Sequence, residues 1–422
     1  MTKHEALLKY YGYSSFRAAQ ETLIDAQLSG RDVLGIMPTG AGKSVCFQIP
    51  ALILDGVTLV ISPLISLMKD QVSQLRRGDV PAAFINSSLT SQQYREVLER
   101  TSKGQYKIIY VAPERLETKE FVAFALNAQI SLIAVDEAHC ISQWGQDFRP
   151  SYLRIGDFVK KLKKRPVVGA FTATATADVK SDIVRLLDLR DPLSLTTGFD
   201  RPNLYFGVEK SENKHKYFHE MISRRSEVCG IVYCSTRKAV DSVTVQLNSR
   251  GISAARYHAG LEDAERRLNQ EDFIQNRVSV MVATNAFGMG IDKPDVRYVI
   301  HYNMPKNLES YYQEAGRAGR DGKPSECILL FSSEDIKVAE RLASSCGNND
   351  ELTESQQRKV QYSNTVRLDK MIRYCEVESC LRSYILKYFG EKQKGGCGNC
   401  SSCNCPNLWT LIKSRFGMRP NL

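Results

Sequence analysis

The 422-residue sequence has no long apolar run, and that absence excludes a membrane-spanning helix. Its most apolar stretch, Val57 to Met68, is broken by Ser62 and Pro63 and falls well short of the roughly 20 residues a bilayer demands. The N-terminus lacks the charged, apolar and small-residue order of a secretory signal. Repeats and low-complexity tracts are missing as well. Charge of one sign is in short supply: 57 Lys and Arg against 47 Asp and Glu leave a net charge of +10, which suits a phosphate-bearing partner but is shared by many soluble proteins. What is present is ordinary globular composition, 43% hydrophobic and 25% charged, so disorder and fibre are excluded and the length allows two or three domains.

Short β-branched runs alternate with amphipathic stretches from Asp32 to about Leu189, at Val57 to Ser62, Lys107 to Ala112, Ser131 to Asp136 and Val167 to Thr172. Strands alternating with helices predict a parallel sheet covered on both faces. After the turn-rich segment Gly198 to Asn203 the rhythm restarts, with strand candidates Gly230 to Cys234, Ser253 to Tyr257, Val278 to Ala283, Arg297 to Tyr302 and Glu326 to Phe331. Beyond about Asp335 the strand signal stops and Val366 to Phe389 reads as one helix. The expected fold is α/β: two tandem parallel-sheet lobes, 1–198 and 199–335, a small helical metal-bound module, 336–405, and a short tail, 406–422.

The chemistry begins at Met37-Pro38-Thr39-Gly40-Ala41-Gly42-Lys43-Ser44, between an expected strand and helix. Glycines there let backbone N–H groups close around phosphates, Lys43 reaches the β and γ phosphates, and the Ser44 hydroxyl can meet Mg²⁺. Thr39, Gly40 and Gly42 complete this cradle, although the strict pattern asks for glycine where Met37 stands. Asp136-Glu137-Ala138-His139 closes an apolar strand, so its carboxylates can emerge beside the P-loop. Asp136 is expected to hold Mg²⁺ through water and Glu137 to take the proton of the attacking water; the competing reading is a charged strand end. In the second lobe Gln313 to Arg320 reads as helix, with Arg317 and Arg320 on one face, able to lean onto the γ-phosphate as arginine fingers, or else forming a solvated basic face.

The ordered set resembles a superfamily 2 helicase, and most closely the RecQ family of DNA helicases, over nearly the whole chain. Tyr13-Ser14-Ser15-Phe16-Arg17-Ala18-Ala19-Gln20 is similar to the family's adenine-recognition motif, implying that Tyr13 stacks on the base and Arg17 and Gln20 hydrogen-bond it. Ser62 to Met68 and Tyr110 to Arg115 resemble first-lobe DNA-contact motifs, and Thr172 to Ala175 resembles the motif coupling hydrolysis to lobe movement. In lobe two Tyr233 to Arg237, Tyr257 to Gly260 and Thr284 to Pro294 fall in family order. His139 to Tyr152 is similar to the aromatic-rich loop that senses single-stranded DNA; Trp144 and Phe148 can stack on bases of any sequence, and Arg149 can meet phosphate or a base face. The resemblance implies RecA-like lobes.

Of 12 cysteines, Cys380, Cys397, Cys400, Cys403 and Cys405 crowd together, which in a large chain without a secretion signal favours metal over disulfides. The overlapping C-x-x-C turns Cys397, Cys400 and Cys403 can aim three thiolates at one centre. Likeness to the RecQ zinc module selects Cys380 over Cys375 as the fourth ligand, and Cys403 over Cys405. Zinc is the expected occupant, in a structural role, with an iron–sulfur cluster as the alternative. Cys46 and Cys229 read as small core residues.

The family implies an ATP- and Mg²⁺-dependent helicase moving 3′ to 5′ on single strands and unwinding duplex in recombination, repair or fork processing. Its partners are single-stranded and forked DNA, together with single-strand-binding and repair proteins; it is a monomer inside the cell, in the nucleoid if bacterial and the nucleus if eukaryotic. After Cys405 the residues Pro406 to Leu422 are too few for the winged-helix domain usual in the family or the later helical single-strand domain, so weak unwinding of blunt duplex is expected. The rival readings are a DNA-stimulated translocase that unwinds little, an RNA helicase, and a DNA-binding module with a vestigial nucleotide site.

Overall fold

The computed structural model describes the chain except residues 211–212, 226, 289–292, 346–351, 394 and 404–422. Met289 to Asp292 of the Thr284 to Pro294 motif, Cys405 and the tail from Pro406 therefore lie outside the described residues. Two compact units follow one another, Met1–Gly198 and Phe199–Leu422.

Seven strands form the first sheet: β1 (Val33–Ile36), β2 (Val57–Ile61), β3 (Ala82–Ile85), β4 (Ile108–Val111), β5 (Ile130–Val135), β6 (Val167–Thr172) and β7 (Leu193–Thr196). Their order is β3-β4-β2-β5-β6-β1-β7, every neighbouring pair parallel. Each return to a parallel neighbour needs a crossover, and helices supply most of them. With both faces covered, β1, β2 and β4 are buried throughout, and Val33, Phe47, Val60, Tyr110 and Phe171 share one core.

The second sheet has six strands: β8 (Leu204–Lys210), β9 (Gly230–Tyr233), β10 (Ala254–Tyr257), β11 (Val280–Ala283), β12 (Tyr298–His301) and β13 (Ser325–Phe331), in the order β10-β11-β9-β12-β13-β8, again all parallel. Val232, Val282, Ile300 and Ile328 meet in its core with Phe218 and Leu247 from the covering helices. A helical region with four clustered cysteines follows, so the architecture is two RecA-like α/β lobes and a cysteine-bearing helical segment.

Three strands, β3, β7 and β8, escape the sequence pattern, and all three are sheet edges. β7 alternates half-buried and exposed residues, as an edge strand can, whereas β3 and the first four residues of β8 are largely buried, so edge position does not explain why their runs escaped the pattern. The single helix anticipated at Val366 to Phe389 is instead two, Glu354–Glu376 and Leu381–Tyr388. Val377 turns extended (φ −63°, ψ 136°), and Cys380 starts the second helix by accepting the Ser383 N–H on its sulfur.

Candidate active site and zinc centre

β1, β5 and β6 lie side by side, with Ile36 in register with Thr172 and Val135 with Ala170. The loops leaving their carboxyl ends therefore emerge together, where ligands of open parallel sheets bind. The chain is still extended at Met37, whose N–H donates to the Thr172 carbonyl at 3.0 Å. That is why the missing glycine is tolerated: the Met37 side chain points into the core, its sulfur 3.7 Å from Cys46 Sγ. Gly42 has φ 79° and opens the helix Lys43–Ile53; a Cβ there would sit 2.4 Å from Gln20 Nε2. The left-handed turn thus calls for glycine, and a Cβ would also displace the Gln20 amide from the loop carbonyls it holds. Lys43 Nζ donates to the Met37 carbonyl at 3.1 Å, spanning the loop, and Thr39, Lys43 and Ser44 are half-buried.

The motif ahead of the loop packs on it. Arg17 Nη1 donates to the Gly40 carbonyl at 2.8 Å, and Gln20 Nε2 to those of Ala41 and Gly42 at 3.2 and 3.1 Å. Tyr13 is 61% exposed, leaving a ring face open for stacking.

Asp136 and Glu137 are separated by a sharp turn: Glu137 takes φ 46°, a left-handed conformation costing about 1–3 kcal/mol for such a residue and concentrated at functional sites. Burial first, then the neighbouring Glu137 charge, push the Asp136 carboxyl up to about 7, while Lys43 acts the other way. A carboxylate so short of compensating positive charge, beside a second carboxylate, fits a hard divalent cation. Glu137 Oε2 lies 3.3 Å from His139 Nδ1, which is 2.8 Å from Thr172 Oγ1; His139 Nε2 lies 3.3 Å from Gln146 Nε2. Thus the carboxylate turn, the Thr172 motif and the aromatic loop share one buried histidine.

The aromatic loop is folded tightly back. A Cβ on Gly145 would fall 2.1 Å from the His139 carbonyl, so only glycine fits. Tyr152 donates its hydroxyl to the Asp136 carbonyl at 3.0 Å, and Arg149 Nη1 to that of Pro63 at 2.7 Å. Trp144 is 41% exposed and Phe148 half-buried, so neither is enclosed core.

In the second unit one expectation fails. The helix Leu308–Ala315 carries Gln313, but Gly316 ends it, and Arg317 and Arg320 lie in the turns beyond rather than on a helix face. Gly319 takes φ 56°, which cannot continue a helix, and the resulting turn is held from outside: Arg201 donates to the carbonyls of Gly316, Ala318 and Gly319 at 3.2, 3.0 and 2.9 Å, and Asn203 Nδ2 to that of Gly319 at 2.9 Å. Arg317 is 5% exposed and donates to the Gly288 carbonyl, while Arg320 is half-buried. Sequence reasoning missed Arg201 and Asn203; they lie in the turn-rich stretch after lobe one, whose composition signals only a connection.

Cys380, Cys397, Cys400 and Cys403 bring their sulfurs within 4.8 Å of one another, as the ligand choice anticipated. Burial acts to raise the Cys380 pKa, but hydrogen bonds from Ser383 and Cys397 bring it down to about 6, whereas burial holds Cys397 and Cys400 up, so of these three only Cys380 is drawn toward a thiolate without a metal. Buried Cys375 stands outside the cluster. The zinc segment lies on β8: Cys400 bridges to Phe206, Ser401 Oγ accepts the Val208 N–H at 3.2 Å, and Phe389 stacks on Phe199 at 4.5 Å. It thereby covers one sheet edge.

Two lobes of this fold recur in S. cerevisiae Dbp5 bound to RNA and ADP BeF3, at TM-score 0.64 and 17% identity over 87% of this chain and 97% of that one. Along the sequence, the DEAD/DEAH box helicase profile matches residues 17–182, the helicase conserved C-terminal domain 213–322 and the RecQ zinc-binding domain 333–404. The ATP-dependent DNA helicase RecQ of Bacillus subtilis (strain 168) is 46% identical over 94% of this chain, which spans 66% of that relative's length. The probable ATP-dependent DNA helicase RecS of the same organism is 44% identical over 81% of this chain and 69% of its own. The fold and site thus define the class of proteins built from two RecA-like α/β lobes with a P-loop in the first. Within that class, the chain belongs to the RecQ family of DNA helicases. Among the described residues no helix is long and apolar enough to cross a membrane.

Proposed function

We propose that this chain is an ATP- and Mg²⁺-dependent DNA helicase motor that moves 3′ to 5′ on single strands and unwinds forked duplex during recombination, repair or fork processing. The observation that carries it is the short polar path Glu137–His139–Gln146, from the carboxylate turn into the aromatic loop. Residues 1–198 and 199–335 are the two motor lobes, 336–405 the zinc module, and the motor works as a monomer inside the cell beside single-strand-binding and repair proteins.

Tyr13 stacks on adenine, with Arg17 and Gln20 turning from the loop carbonyls to the base edge. The backbone of Thr39 to Gly42 and Lys43 cradle the phosphates. Ser44 and Asp136 hold Mg²⁺, which when bound neutralises phosphate charge. Glu137 takes a proton from the attacking water, and Gln313, Arg317 and Arg320 meet the γ-phosphate as negative charge shifts in the transition state. Trp144, Phe148 and Arg149 engage the strand, and His139 relays its presence to Glu137. A base-pair step costs about 1.4 kcal/mol, a small load for one ATP. Cys380, Cys397, Cys400 and Cys403 hold structural zinc and do no chemistry.

Lys43→Ala should abolish hydrolysis and spare single-strand binding. ATPase and strand separation on 3′-tailed, 5′-tailed and blunt DNA, with single-stranded RNA for comparison, test the whole. Preference for a 5′ tail overturns the polarity; equal stimulation by RNA overturns the substrate; hydrolysis without strand separation leaves a translocase.

A further inference from the structure

We propose that Arg201 is a positioning residue for ATP hydrolysis, and that the zinc segment reaches the hydrolytic site through it; this rests on the reading of Arg317 and Arg320 as the arginines that meet the γ-phosphate. A turn has no strand register to set it, so something else must hold its backbone. Here a single guanidinium takes three of its carbonyls, those of Gly316, Ala318 and Gly319. Asn203 shares the last one and also donates to Lys323 O at 3.0 Å, closing the far side of the turn.

Five donors in a rigid plane suit Arg to this bracketing, whereas an ammonium offers a single point. The carbonyls on either side of Arg317 are thereby fixed, and with them the direction in which the two arginines leave the chain.

The other side of the same segment belongs to the zinc region. Arg382, buried in the first turn of the helix that Cys380 caps, donates to Asp200 Oδ1 and to the Arg201 carbonyl, each at 2.6 Å, and also to the Leu204 carbonyl. Asn399, between the ligands Cys397 and Cys400, donates to the carbonyls of Pro202 and Leu204, each at 3.1 Å. Glu391 accepts the Phe199 N–H at 2.7 Å. Residues 199–204 are thus pinned from one side by the cysteine-bearing segment and present Arg201 on the other. The zinc segment sets the arginine turn as well as covering an edge strand.

The test measures kcat and KM for ATP with saturating single-stranded oligonucleotide, together with zinc content, melting temperature and strand affinity, in the full chain. Arg201→Gln should lower kcat by about ten- to a hundredfold, the scale of a misplaced catalytic group, with KM, zinc and strand affinity little changed. Combined with Arg320→Ala, it should slow hydrolysis no further than Arg320→Ala alone, because the turn it positions has already lost its working group. Multiplied losses overturn the proposal. If Arg317→Ala and Arg320→Ala both turn over normally, the arginine-finger reading fails; if they are slow while folded, zinc-loaded Arg201→Gln keeps normal kcat, only the positioning role fails. Should Arg201→Gln not fold, Arg201→Lys decides, since it keeps the charge and loses the bracket: normal kcat refutes the role, and slowed kcat with unchanged KM supports it. Arg382→Lys should retain zinc and lower kcat by a smaller factor; unchanged kcat removes the link to the zinc segment.

Discussion

The two lobes anchor their functional groups by different means. In the first, β1, β5 and β6 are adjacent, so sheet register brings the Asp136 and Thr172 strand ends and the start of the nucleotide loop to one edge, and Arg17 and Gln20 then hold that loop by the carbonyls of Gly40, Ala41 and Gly42. In the second, Arg317 and Arg320 leave no strand; a turn carries them, held by Arg201 and Asn203 from the segment that opens the lobe. Register is a backbone property that tolerates side-chain change, whereas a side-chain clamp is lost with one residue. The first arrangement therefore places its loops by register and adds side-chain clamps to them, whereas the second, among the described residues, is held by side chains from the segment that opens the lobe.

The zinc centre offers the strongest break in this comparison. Cys400→Ser should release the metal and forfeit much of the binding energy that structural zinc sites add to folding, about 10–16 kcal/mol in isolated peptides. Metal analysis and calorimetry should show zinc lost and the second lobe melting early, while the first lobe still binds a fluorescent ADP analogue. A metal-free chain with unchanged melting would sink the structural role, and iron in the native protein would sink the zinc assignment.

Glu137→Gln probes the register-built site at its reacting group. Hydrolysis should fall about 10²–10⁴-fold with ATP affinity retained, because the amide keeps the shape and loses the base. Normal turnover would remove Glu137 from that role. Away from the sites, Arg225 and Glu326 form a buried pair in the second lobe, at 2.5 and 2.9 Å from two guanidinium nitrogens to one oxygen. Glu326→Gln should cost about 3–5 kcal/mol by removing the buried carboxylate charge opposite Arg225. A urea titration reads this directly, and a change below the error of the fit would mean that other groups or water compensate that arginine.

The smallest effect sharpens the comparison most. Trp144→Ala should leave DNA-free hydrolysis near normal and weaken DNA stimulation by about 1–3 kcal/mol, the worth of one aromatic–base stack. Undiminished stimulation would mean that Trp144 packs locally and reports nothing.

How much was legible follows the same physics. The P-loop, the Asp136–Glu137 pair and the C-x-x-C turns at Cys397, Cys400 and Cys403 are local spacings, and each could be read because its chemistry needs those residues in that order, whereas Cys380 was selected by likeness to the RecQ zinc module. The interior parallel strands were readable as continuous apolar runs; β7 was not, because it alternates half-buried and exposed residues at a sheet edge, and β3 and β8 escaped although they are largely buried. Arg317 and Arg320 were found as residues but placed on a helix, although Gly316 and Gly319, the latter at φ 56°, mark its end locally; the Arg201 contacts that hold the turn are what no local spacing shows.

The sequence by itself determined the class of fold, the nucleotide loop, the carboxylates and the clustered Cys397, Cys400 and Cys403, all of which are encoded by neighbours along the chain, and family likeness added Cys380. Only the tertiary structure decided that His139 joins Glu137 to the aromatic loop, that Gly145 must be glycine, and that Arg201 brackets the arginine turn. Such contacts arise when folding brings separate surfaces within hydrogen-bond distance, and no period or spacing in one segment records where another segment will lie.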